Sequence, residues 1–240
     1  MWPVILVWGG ASTVAAAGLL AVQPLTGVSM EVLSLVMLAP GIGAAICWAT
    51  MRKHLPDFPK PAGTRTFLLS IGLSIAVTAV YFAAVSLFRG QAPQIPATVA
   101  GTPVAIMILA QTLGALTEEI GFRGILFHAL GVRLPRFATA VIVGAAFGVW
   151  HVQYFALPLV QHAAFLVGTV TLTVTMTYVM TGSLWQRMVV CTIIHLGANL
   201  ALAFTGGQAI PMTAFGLALV VGCVIAVPLS RACERASSRR

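Results

Sequence analysis

Eight apolar stretches, each about as long as a helix that crosses a lipid hydrocarbon layer, decide what this chain can become. They fall near residues 3–23, 32–51, 66–88, 103–130, 138–157, 161–181, 184–205 and 209–229, and a spanning helix needs about 20 residues. The chain is 59% hydrophobic and only 8% charged, where soluble domains carry about 25% charged residues. The pattern predicts an all-α, polytopic membrane helix bundle of about eight transmembrane helices, forming a single transmembrane domain over residues 1–240. The first stretch has no Lys or Arg ahead of it and is too long for a signal peptide, so a retained helix is expected there.

Charge sets the expected orientation. Arg52, Lys53, Lys60 and Arg65 lie in one loop punctuated by Pro56, Pro59 and Pro61, which argues against helix there. Placing that loop in the cytoplasm puts eleven of the thirteen Lys and Arg inside and only Arg89 outside; the thirteenth is Arg123. Basic residues collect in cytoplasmic connectors. Both termini are therefore expected in the cytoplasm of a cell-membrane protein, with residues 231–240 as a disordered basic tail that touches anionic lipid. The net charge of +8 sits in connectors rather than on a folded polar face, so no nucleic-acid partner is expected; membrane lipid is. Cys47, Cys191, Cys223 and Cys233 have no paired or metal-binding spacing and read as ordinary thiols.

Against this apolar background, Glu118, Glu119 and Arg123 fall inside one span. A charge near the bilayer centre costs at least about 2.5–3.5 kcal/mol, so three in six residues need partners and a purpose. At i,i+4 spacing Glu119 and Arg123 can pair, while Glu118 points about 100° away round the helix and is left for chemistry. Two later spans bring few but suitable groups: Phe147 with His151, and His195 with Asn199, each on one helical face. Counted from the nearest cytoplasmic arginines, Glu118, His151, His195 and Asn199 lie roughly 10–25 Å deep at ~1.5 Å per residue. Such a set can activate water. A carboxylate acts as base and then acid, a histidine shares the water or holds a metal, and an imidazole with an amide donates to an oxyanion. Gly121, Gly124 and the Gly144/Gly148 step allow close helix approach. His54, His128 and His162 read as solvated or interfacial, Gln111 as bonded to a neighbouring helix, and Trp48 and Trp185 as interfacial anchors.

Together the motifs resemble the CAAX protease and bacteriocin-processing family of intramembrane peptidases, which includes the Ras-converting prenyl protease. E-E-x-x-F-R-G is matched by Glu118, Glu119, Phe122, Arg123 and Gly124. F-x-x-x-H is matched by Phe147 and His151, and H-x-x-x-N by His195 and Asn199, in family order on separate spans. The resemblance implies that Glu118 activates water, His151 helps hold it, His195 and Asn199 form the oxyanion site, and Arg123 with Glu119 orients the carboxylates. It implies an intramembrane endopeptidase acting on a membrane-associated protein or peptide. It leaves open whether the enzyme is a glutamate protease or a metalloprotease, in which Glu118, His151 and His195 would hold a divalent metal such as zinc. A prenylated substrate is not carried over. Two other classes use the same residues: a proton-coupled transporter, and a non-catalytic immunity or scaffold protein.

Overall fold

A computed structural model of the protein describes residues 1–205 and 212–238, with side chains described through residue 232. Its helices are α1 (Trp2–Val22), α2 (Ala39–Thr50), α3 (Thr64–Arg89), α4 (Val104–Glu119), α5 (Phe127–Gly131), α6 (Arg136–Trp150), α7 (Leu159–Val179), α8 (Leu184–Phe204) and α9 (Met212–Ser238). Residues Ile120–Leu126 join α4 to α5 as a π-helix. The fold is all-α. One short hairpin, β1 (Thr98–Val99) with β2 (Thr102–Pro103), precedes α4.

Each expected span is met by a helix, but two of the helices are shorter than a crossing requires. Among the described residues six helical stretches are long and apolar enough to cross a membrane, and the stretches Leu35–Thr50 and Arg136–Trp150 are shorter. The first is shortened because Leu35–Leu38 is a 3-10 turn before Pro40 opens α2; proline is at ease only in a helix's first turn. The second was expected to run to residue 157. It stops at Trp150 because His151 leaves helical geometry (φ −85, ψ 64), and a 3-10 turn follows over Val152–Ala156. At the other end of the chain, α9 continues to Ser238, so the backbone expected as a disordered tail is helical through that residue. Arg239 and Arg240, and the side chains of Cys233 and Arg235, lie outside the described residues.

The chain divides into two compact units, Met1–Pro59 with Ile95–Leu134, and Lys60–Gln94 with Pro135–Arg240. In the first, α1 turns the stripe Val4, Trp8 and Ser12 inward. It faces Pro40, Gly43 and Cys47 on α2, which share one helical face at spacings of three and four. Trp8 Nε1 donates to the Pro40 carbonyl at 3.2 Å and Cys47 Sγ to the Val4 carbonyl at 3.5 Å. A Cβ on Gly43 would lie 2.1 Å from Ser12 Oγ, so glycine sets this approach. Most of the remaining α1 surface is apolar and exposed, with Leu6 71% and Val14 75% exposed, as befits a helix facing lipid. In the second unit α7 packs on α6 and α9, and α3 on α8 and α9. Gln186, in the first turn of α8, accepts from the Ser183 and Ala62 amides at 2.9 Å and donates to the Ala62 carbonyl at 3.0 Å. One side chain thereby caps the helix and fixes the end of the basic loop.

Candidate active site

The acidic motif is built within the first unit. Pro40 and Gly41 of α2 press against it. A Cβ on Gly121 would meet Pro40 Cβ at 2.5 Å and its carbonyl oxygen at 2.7 Å, and one on Gly41 would meet Thr117 Cβ at 2.9 Å. Thr117 Oγ1 lies 3.0 Å from the Met37 carbonyl, and Gln111 Nε2 donates to the Val32 carbonyl at 3.0 Å. Gln111 therefore bonds a neighbouring segment, as expected. Trp8 sets its ring edge-on to Phe122 at 5.1 Å.

On this support Glu118, Glu119 and Arg123 are all buried, and Arg123 is among the largest fully buried side chains in the protein. Arg123 Nη1 donates to Glu119 Oε1 at 2.9 Å, with both side chains fully enclosed. The predicted pair is thus present, and it straddles the change from α-helix to π-helix. A π-turn widens the helix and is common at functional sites. No residue type signals it in sequence.

The imidazole motifs are built within the second unit. A Cβ on Gly144 would lie 2.6 Å from Val170 Cα, and one on Gly148 would lie 2.6 Å from Thr169 Oγ1. The glycine step therefore lets α6 lie directly on α7. At the end of α6 the His151 amide donates to the Gly148 carbonyl at 3.2 Å, three residues back. The Phe147 carbonyl, which a continuing α-helix would pair with that amide, instead lies 2.8 Å from His151 Nδ1. A carbonyl can only accept, so this contact assigns the proton to Nδ1; in the neutral ring Nε2 then carries the lone pair. His151 is half-buried. It keeps its four-residue relation to Phe147 through this side-chain bond rather than through a shared helical face.

Phe147 also joins the two histidine motifs. Its ring is edge-to-face with His151 at 4.6 Å and with His195 at 5.3 Å. His195 is buried on α8 and Asn199 is half-buried one turn later. Gly197 between them lies against α3, where a Cβ would meet Thr78 Oγ1 at 2.3 Å. Two residues outside the motifs also lie against His151. Tyr154 stacks near it at 6.1 Å and Phe165 lies edge-on at 5.7 Å. Tyr154 is on the turn after the helix break, which the continuous span expected from sequence concealed.

The three other histidines lie elsewhere. His54 is exposed in the basic loop. His128 packs on Phe58 at 4.4 Å, and Phe58 stacks on Trp48 at 5.5 Å. His162 was expected to be solvated. It is half-buried, with Nδ1 2.9 Å from the Tyr154 carbonyl. Cys47 and Cys191 are buried free thiols and Cys223 is half-buried. Among the described residues no three or more His, Cys, Asp or Glu side chains are gathered to hold a metal.

Residues 100–201 match the family model described as Type II CAAX prenyl endopeptidase Rce1-like. The matched stretch contains Glu118, Glu119, Arg123, Phe147, His151, His195 and Asn199, and it bears out the resemblance read from the three motifs. It supports a protease of CAAX type, and the candidate spans support a multi-pass integral membrane protein. No curated protein matches the chain.

Proposed function

We propose, from the similarity to Type II CAAX prenyl endopeptidases, that the protein is an intramembrane endopeptidase that cleaves a membrane-associated protein or peptide with a water activated by Glu118 and His151. Glu118, Glu119 and Arg123 belong to the first compact unit, and His151, His195 and Asn199 to the second. Glu118 removes a proton from the water while His151 Nε2 accepts a hydrogen bond from it. The oxygen attacks the peptide carbonyl carbon, and the C=O π electrons move onto the carbonyl oxygen. His195 and Asn199 donate hydrogen bonds to that oxyanion. When the tetrahedral centre collapses, the C–N bond breaks and Glu118 returns its proton to the leaving nitrogen. Glu119, neutralised by Arg123, keeps the neighbouring turn in register.

The observation that carries this reading is the pair of imidazoles set edge-on to one phenyl ring, with His151 Nδ1 committed to the Phe147 carbonyl. His162 also sets Nδ1 against a carbonyl, so what sets His151 apart is that its ring shares Phe147 with His195. The test is purified protein reconstituted in liposomes with the host's membrane proteins, with new chain termini read by mass spectrometry. Cleavage by the parent and its loss in Glu118→Gln and His151→Ala, by 10²-fold or more on the order expected for a general base, is the expected result. Equal cleavage by all three proteins overturns the assignment. Full activity after exhaustive chelation is expected for the metal-free route; loss of activity together with a stoichiometric bound metal contradicts it.

A further inference from the structure

The second unit gathers guanidinium groups at one end. Arg136 opens α6, Tyr178 closes α7, Arg187 lies in the first turn of α8 and Arg231 lies toward the end of α9. The Arg136 guanidinium is 4.9 Å from the Tyr178 ring centre and that of Arg231 is 4.7 Å from it. Arg231 Nη2 also donates to the Tyr178 hydroxyl at 3.1 Å, and Arg136 donates to the Thr177 carbonyl. The Ser230 hydroxyl donates to the Tyr178 carbonyl, which ties α9 to the end of α7. Arg187 Nε donates to the Gly182 carbonyl at 2.9 Å, and this guanidinium lies within electrostatic reach of Arg136.

Two like charges on one ring repel each other, and holding two long side chains there costs rotamer entropy. Scattered arginines that only snorkel to the headgroup layer would take separate paths. These are instead anchored by a shared ring and by backbone carbonyls. Arg136 and Arg231 remain exposed. The sequence of this unit carries nine Lys and Arg against one acid, Glu234. Charge balance must therefore come largely from outside it.

The geometry points to a binding site for a phosphodiester anion, the headgroup of an anionic phospholipid, held between Arg136 and Arg231 beside Tyr178 with Arg187 as a third cation. The helix ends that form it lie on the face that the charge asymmetry assigns to the cytoplasm, where anionic lipid is concentrated. The site is independent of the proteolytic reading, because none of its residues belongs to the three motifs.

The test uses the full chain in detergent, with native mass spectrometry for bound lipid and thermal unfolding as the second readout. Phosphatidylglycerol, phosphatidylcholine and inorganic phosphate are titrated separately. The site predicts retention of phosphatidylglycerol over phosphatidylcholine, and a rise in unfolding midpoint with phosphatidylglycerol alone. In the double variant Arg136→Gln/Arg231→Gln, phosphatidylglycerol binding weakens by about fivefold per arginine, while the midpoint in phosphatidylcholine is unchanged. Should that variant fail to fold, Arg136→Lys/Arg231→Lys keeps the charge and loses the forks; weaker binding is again expected. Equal binding of the two lipids, unchanged affinity in the variant that folds, or an equal shift with phosphate alone overturns the site.

Discussion

Arg123 and Glu119 show how few residues decide the character of the acidic turn. Their 2.9 Å contact is fully enclosed, and a buried charge stripped of its partner is costly. Truncating the guanidinium in Arg123→Met is expected to destabilise the fold by about 3–5 kcal/mol, read as a lowered unfolding midpoint in detergent. Arg123→Lys keeps the charge and recovers only part of this loss, because the ammonium lacks the planar fork. If Arg123→Met unfolds like the parent, the pair is not what holds the turn. The motif residues were legible in the sequence because ionisable groups are so rare here: two of its five acids stand side by side in one apolar run. What Phe147 does was not legible. Its ring touches both imidazoles only because α6 and α8 present their side chains at particular angles, and its carbonyl is available to His151 only because the helix ends there.

At the scale of elements, glycine and proline set the distances. Gly121 sits where a Cβ would run into Pro40 at 2.5 Å, whereas a Cβ on Gly72 of α3 would meet nothing within 4 Å. Gly121→Ala is therefore expected to cost about 1–3 kcal/mol by overpacking and to disturb the carboxylates above it. Gly72→Ala serves as the silent control. The comparison is made by thermal unfolding and cleavage rate on the same preparations; equal behaviour of the two variants contradicts the packing account. Apolar length fixed where each helix lies, but not how each helix is wound. Nothing distinguishes Ile120–Leu126 as a π-turn by residue preference, since i→i+5 and i→i+4 bonding use the same backbone N–H and C=O groups. Nor does any proline or glycine mark the break at His151; the next such residue is Pro158. The break follows from an imidazole taking the place of a backbone donor, which is a contact and not a propensity.

For the whole molecule, the eight apolar stretches carried most of the order of helices. They could not carry the two short helices, whose ends depend on Pro40 and on His151. Orientation is checked directly with fusions. A fluorescent protein at the C-terminus is expected to mature in the cytoplasm, and alkaline phosphatase inserted after Gln91 to be active on the opposite side. Active phosphatase in the Arg52–Arg65 loop would reverse the assignment. The central proposal is that Glu118 and His151 activate the same water. A double-mutant cycle on kcat/KM tests it most directly, with Glu118→Gln, His151→Ala and the combined variant all reconstituted with the same cleaved membrane substrate. Groups that work as a unit are strongly non-additive, so the combined variant is expected to lose no more activity than the worse single variant. Losses that multiply, or a single variant that cleaves like the parent, would contradict the account.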